Sequence, residues 1–142
     1  MTGVLRRFGP FAVVVILVAL SCAPGEGTHP ALRTGRTVYG DNCSSCHGNS
    51  GQGGVGPSLE NVLFTWRSCE DHMEWIALGA EGWKKTYGPT YGSEQTEIKG
   101  KMPGQAENLS ADEIAAVAAF ERVEYGGGDV DTVLADCGID ED

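Results

Sequence analysis

The sequence predicts a mainly α protein, three helices joined by long glycine-rich loops, and three observations support this. Apolar residues recur at helical spacing in three separated stretches of the 142-residue chain, and none alternates over a strand's length. Glycine occurs 21 times, about twice its average usage, and clusters between those stretches. Large apolar side chains are too sparse to hold such loops down alone, so a chain of this size calls for a staple, a metal or a cofactor.

At the N-terminus, Arg6 and Arg7 precede an uncharged run over 11–20 and then Ser21-Cys22-Ala23-Pro24, the layout of a secretory signal. The run falls short of the roughly 20 residues that a spanning helix needs. Residues 18–21, Val-Ala-Leu-Ser, resemble a bacterial lipobox. On that reading 1–21 is a signal peptide of lipoprotein type and Cys22 becomes the lipid anchor; cleavage nearby or an uncleaved anchor is the alternative. Each version places the remainder outside the cytoplasm. Removing Arg6 and Arg7 with no acid takes the formal charge from -10 to -12. So acidic a surface argues against nucleic acid as a partner, since phosphate backbones require basic patches. Residues 22–30 lack apolar periodicity and form a tether.

The globular unit is expected over 31–125. Pro30 suits a first helical turn, and Leu32, Gly35, Val38 and Tyr39 then share one face, predicting a helix over 31–42. Six of the ten residues 48–57 are glycine or proline, a loop. Ser68 with Glu70 and Asp71 opens a second helix over about 68–78, with Cys69, Met73, Ile76 and Ala77 on one face. Residues 83–104 show no strand signature and are expected as a long wrapping loop, and a loop of that length implies that something fills the space it encloses. Ser110-Ala111-Asp112-Glu113 is a capping box, followed by a core face of Ala116, Val117, Phe120 and Val123 up to Gly126-Gly127-Gly128. Residues 126–142 are expected as an acidic C-terminal tail.

Cys43-Ser44-Ser45-Cys46-His47 is the attachment signature of a c-type haem. Two thiols one helical turn apart can add to two vinyl groups on one porphyrin edge, and the following histidine is carried to the iron as proximal ligand. A redox Cys-x-x-Cys would want a βαβ setting and a zinc half-site a second ligand pair; neither is present. Gly51-Gln52-Gly53-Gly54-Val55-Gly56 satisfies a dinucleotide fingerprint, but no strand precedes it and Pro57 follows at once.

The run from Cys46-His47 through Gly56-Pro57-Ser58-Leu59 resembles that of class I c-type cytochromes, over about residues 31–125. The resemblance implies the cytochrome c fold around one covalently bound haem c. It gives Pro57 the role of offering its carbonyl to His47, and Leu59 that of packing on the haem. It matches Gly35 and Tyr39 of the first helix with Val117 and Phe120 of the last as a close crossing. For the sixth ligand the candidates are Met1, Met73, Met102, His29 and His72. Met1 leaves with the signal, His29 lies in the tether, Met73 reads as core filler and His72 as a surface residue beside Glu70 and Asp71. Met102, in Gly100-Lys101-Met102-Pro103-Gly104, stands in the setting of the family's axial methionine. Trp83, Tyr87 and Tyr91 read either as donors to haem propionates or as aromatic packing.

Cys69 and Cys137 are the thiols left unassigned to lipid or haem, and in an oxidising compartment they are expected to pair. His/Met ligation closes both axial positions, so the expected function is single-electron transfer between respiratory-chain partners on the outer face of a bacterial cytoplasmic membrane. No catalytic residues are implied. The alternatives are a haem subunit fixed in a larger respiratory complex, and a ligand-binding sensor or peroxidase-like protein. The acidic charge implies donor and acceptor proteins with basic docking patches.

Overall fold

The computed structural model describes residues 29–140; the signal segment 1–21, Cys22 and most of the tether lie outside them. The described chain is mainly helical. Helix α1 (Pro30–Asn42) runs into a short α2 (Ser44–His47), followed by α3 (Val62–Thr65), α4 (Cys69–Tyr87), a hairpin of β1 (Thr90–Tyr91) and β2 (Thr96–Glu97), α5 (Ala111–Glu124) and α6 (Val130–Asp136).

Helix α1 starts where Pro30 fixes φ and the His29 ring accepts a hydrogen bond from the Ala31 amide. It buries Leu32, Gly35, Val38 and Tyr39, the face read from periodicity. Its main partner is α5, which opens on the expected capping box, Ser110 and Glu113 exchanging side-chain and backbone hydrogen bonds. The two helices cross at Gly35. A β-carbon there would overlap the Ala116 carbonyl and lie 2.6 Å from Phe120 Cβ. Tyr39, Phe120 and Tyr125 then close around the crossing with ring centroids 5.0–5.7 Å apart.

The middle helix departs from its sequence reading. It continues past residue 78 to Tyr87, bent at Gly79, whose φ of 64° and ψ of -177° are non-helical. Gly79 and Gly82 interrupt the apolar pattern, which is why periodicity stops short. Within the expected loop, β1 and β2 pair antiparallel, Thr90 opposite Glu97 and Tyr91 opposite Thr96. Strands of two residues are too short to show alternation. The acidic tail likewise contains α6, capped by Asp129 and burying Val133 and Leu134. Four acids in and around it mask a helix that presents only two apolar residues to the core.

Cys69 and Cys137 form a disulfide that fastens α6 to the start of α4. Asp136 reinforces the joint, accepting from the Cys69 amide and from Arg122, both at 2.9 Å. The apolar interior divides into two clusters. The first gathers Leu32, Val38, Tyr39, Cys43, Ile76, Val117, Phe120, Leu134 and the disulfide; the second centres on Trp66, Trp83, Val62, Ala80 and Ile98.

Gly35→Ala gains helix propensity of about 1 kcal/mol but forces the α1–α5 crossing apart. The net change expected is a loss of about 1–3 kcal/mol, measured as a lower denaturant midpoint. Replacing Cys69 and Cys137 by serine opens a loop with sequence separation 68 and is expected to cost about 4 kcal/mol on the chain-entropy model. The same measurement checks it, with wild type under reductant as the parallel case.

Candidate functional site

Cys43 ends α1, and Cys46 and His47 lie on the single turn of α2, so the rigid α1–α5 pair determines where this motif sits. The Cys43 thiol is buried, whereas Cys46 is half-exposed. Burial pushes the Cys43 thiol up to about 12, with the Glu121 carboxylate and Cys46 adding to the effect. A redox-active or metal-binding cysteine needs the opposite, a stabilised thiolate. Cys43 is therefore poorly suited to disulfide exchange. Among the described residues no group of three or more His, Cys, Asp or Glu is placed to hold a metal ion.

The glycine-rich loop folds back on the motif through the Gly53 amide to the His47 carbonyl (2.8 Å) and the Gly56 amide to the Cys46 carbonyl (2.9 Å). It brings His47 Nδ1 to 2.9 Å from the Pro57 carbonyl. A carbonyl there selects the tautomer with hydrogen on Nδ1 and leaves Nε2 with its lone pair free to coordinate. Gly56 lies flat against the ring, where a β-carbon would be 2.9 Å from Cε1. Leu59 packs half-buried against the first cluster, fixed by its amide to the Gly51 carbonyl.

Met102 is half-buried and touches both apolar clusters. Its segment rests on the bend of α4: the Ala80 amide donates to the Met102 carbonyl at 2.8 Å, and the Gln105 and Ala106 amides donate to the carbonyls of Ile76 and Ala77. Met73 packs on the first cluster from α4. Two thiols, an oriented imidazole, a thioether and apolar walls are a donor set that fits a covalently held haem.

The remaining histidines behave differently from their sequence reading. His29 caps α1. His72 is not at the surface: it is 2% exposed, stacked on Trp66 at 6.1 Å, with Nε2 3.1 Å from the buried Glu121 carboxylate. Polarity placed it on a flank; a buried acid on α5 draws it inward, and a distant partner of this kind leaves no local signal. Trp83 and Tyr87 spend their donors within the protein, on the Thr90 carbonyl (2.9 Å) and on Glu74 (2.6 Å), while Tyr91 stacks on Trp75. A surface cavity of about 510 Å³ opens beside Arg36, Tyr39, Asn49 and Tyr125; none of Cys43, Cys46, His47 or Met102 lines it.

Residues 30–120 match the family described as cytochrome c oxidase, cbb3-type, subunit III. The cbb3-type cytochrome c oxidase subunit FixP of Bradyrhizobium diazoefficiens is 37% identical over 97 residues, 65% of this chain and 30% of that protein. Cytochrome c-L of Methylorubrum extorquens is 28% identical over 102 residues, 72% of this chain and 44% of that protein. The chain thus spans less than half the length of either relative. The crystal structure of the c-type cytochrome XoxG from Methylobacterium extorquens AM1 aligns with a TM-score of 0.49 at 19% identity, over 75% of this chain and 67% of that one.

The buried pair beside the site has a measurable consequence. Glu121→Ala strands His72, whose Nδ1 already lacks a protein partner, and leaving that buried ring unpartnered is expected to cost about 1–3 kcal/mol. His72→Phe combined with Glu121→Leu removes both polar groups and is expected to cost less than that single change, in chemical denaturation.

Proposed function

Because the chain belongs to the cbb3-type cytochrome c oxidase subunit III family and is a monohaem c-type cytochrome, we propose that it transfers single electrons through one haem c with His47 and Met102 as axial ligands. When bound, the haem supplies a one-electron iron couple. Cys43 and Cys46 hold it by thioethers, which a small domain needs if it is not to lose its cofactor. His47 offers Nε2, its ring orientation set by the Pro57 carbonyl and its tilt by Gly56. Met102 offers a soft thioether, which favours the reduced metal and raises the potential. With His47 and Met102 both holding the iron, water and small ligands would be kept from it, and Leu59 would help to exclude water there. The observation that carries this reading is a His47 ring oriented by the Pro57 carbonyl directly after the two thiols, with the Met102 segment separately hydrogen-bonded onto α4.

The disulfide supports a location outside the cytoplasm. Cys22 as a lipid anchor on the outer face of the membrane rests on residues 18–22 alone. Among the described residues no helix is long and apolar enough to cross a membrane. The proposed partners are respiratory donor and acceptor proteins with basic docking patches. A second reading, a haem-bearing part of a larger oxidase assembly, is favoured by the family's description as an oxidase subunit and by the greater length of FixP.

The reduced holoprotein is expected to take up no carbon monoxide at neutral pH, and its ferric form to show the weak red charge-transfer band of methionine ligation. Met102→Ala should lose the band and bind carbon monoxide. Rapid, stoichiometric uptake by wild type would overturn electron carriage in favour of a ligand-binding protein. The formal charge of -10 predicts faster electron exchange with a cationic small-molecule oxidant than with an anionic one of matched driving force. That advantage should shrink as salt rises, in stopped-flow rates across an ionic-strength series.

A further inference from the structure

We propose that the break in α4 at Gly79 is a socket for the Met102 segment, so that a residue of the middle helix positions the axial methionine. The inference rests on the reading of Met102 as a ligand. In an unbroken helix the Ala80 amide would bond to the Ile76 carbonyl, and the Ala77 carbonyl would accept from Glu81. Here the Ala80 amide donates instead to the Met102 carbonyl at 2.8 Å. The Ile76 carbonyl accepts from Gln105 at 3.0 Å, and the Ala77 carbonyl from Ala106 at 3.2 Å. The bend exposes backbone groups that must find partners, and residues 102–106 are what they find.

The fit is backbone against backbone. A β-carbon on Gly79 would sit 2.6 Å from both the Met102 carbonyl oxygen and the Pro103 carbonyl carbon, and would overlap the Gly104 nitrogen. A β-carbon on Gly104 would sit 2.7 Å from the carbonyl oxygens of Ala77 and Leu78. Each glycine admits the other's strand of chain. The conformation of Gly79, φ 64° and ψ -177°, belongs to a region open essentially to glycine alone. Alanine there returns to helical angles, which restores the Ala80-to-Ile76 hydrogen bond and takes the Met102 segment's anchor away. The helix gains what the loop loses. A residue serving only as a packing kink would alter stability and leave the ligand in place; a socket would release the ligand while the helix stays formed.

The test uses haem-loaded wild type, Gly79→Ala, Gly104→Ala and Met102→Ala. For each, the red charge-transfer band, the midpoint potential, carbon monoxide uptake when reduced, and far-ultraviolet circular dichroism are recorded. Gly79→Ala is expected to keep helical dichroism at or above the wild-type level while losing most of the band, lowering its potential and binding carbon monoxide. Gly104→Ala is expected to lose part of the band. Met102→Ala marks complete loss. If Met102→Ala loses the band and Gly79→Ala retains both band and potential, the socket is wrong and the ligand stands. If Met102→Ala retains the band, the ligand reading fails and the inference with it. Should Gly79→Ala not fold, Gly104→Ala probes the same contact from the loop side, and an undiminished band there overturns the proposal.

Discussion

Where α1 and α5 cross, the Gly35 backbone lies against the Ala116 carbonyl with no space for a β-carbon, and the other parts take their places from that contact. Helix α1 leads directly into Cys43 and the turn that holds Cys46 and His47. Its angle to α5 therefore aims the whole motif. Tyr39, one turn further on, is locked between Phe120 and Tyr125, and its hydroxyl donates to the Gly48 carbonyl at the exit of the motif. Burial holds that phenol above its ordinary pKa, so the donor stays protonated. The crossing thus reaches the glycine-rich loop through Tyr39, and Tyr125 adds a hydrogen bond from its hydroxyl to the Asn49 carbonyl.

The opposite side of α5 is held by polar groups, an arrangement with different energetics. Glu121 faces His72, and Arg122 donates to the Trp66 and Ser68 carbonyls and to Asp136. The Arg122–Asp136 pair is buried on the arginine side only; desolvation offsets the attraction in such a pair, yet losing one member is costly. Arg122 thereby ties the connection between α3 and α4, at Trp66 and Ser68, to Asp136 of α6. The disulfide then closes the same joint covalently. Burial lowers the guanidinium's pKa, and Asp136 works against that shift.

Much of the helical skeleton could be read in the sequence because its signals are local. The α1 face, the Ser110 capping box and the attachment motif each declare themselves within a few residues. The pairing of Cys69 with Cys137 follows from elimination among thiols, and the two are joined in the structure. What stayed hidden depends on partners far along the chain. The last turns of α4 follow a glycine that ordinarily ends a helix, and they persist because another segment satisfies the bend. His72 is buried by an acid on a different helix, and α6 by two apolar residues and a disulfide. In each case the deciding contact has no periodicity to betray it. For the site, the motif and the oriented imidazole were visible; the seat of the Met102 segment was not.

The glycine excess now separates into two kinds. Gly40 and Gly100 have nothing within 4 Å of where a β-carbon would sit, so their local surroundings would accept a side chain. Gly35, Gly56 and Gly79 each bring backbone against something that a methyl group would displace: the Ala116 carbonyl, the His47 ring and the Met102 segment. These three contacts lie at the α1–α5 crossing that leads into the motif, at His47 and beneath the Met102 segment. Side-chain packing is thin in so small a chain, and it is supplemented here by close backbone approach around the Cys43–His47 motif and the Met102 segment. Backbone that meets its neighbour with no side chain of its own between them has little freedom to adjust.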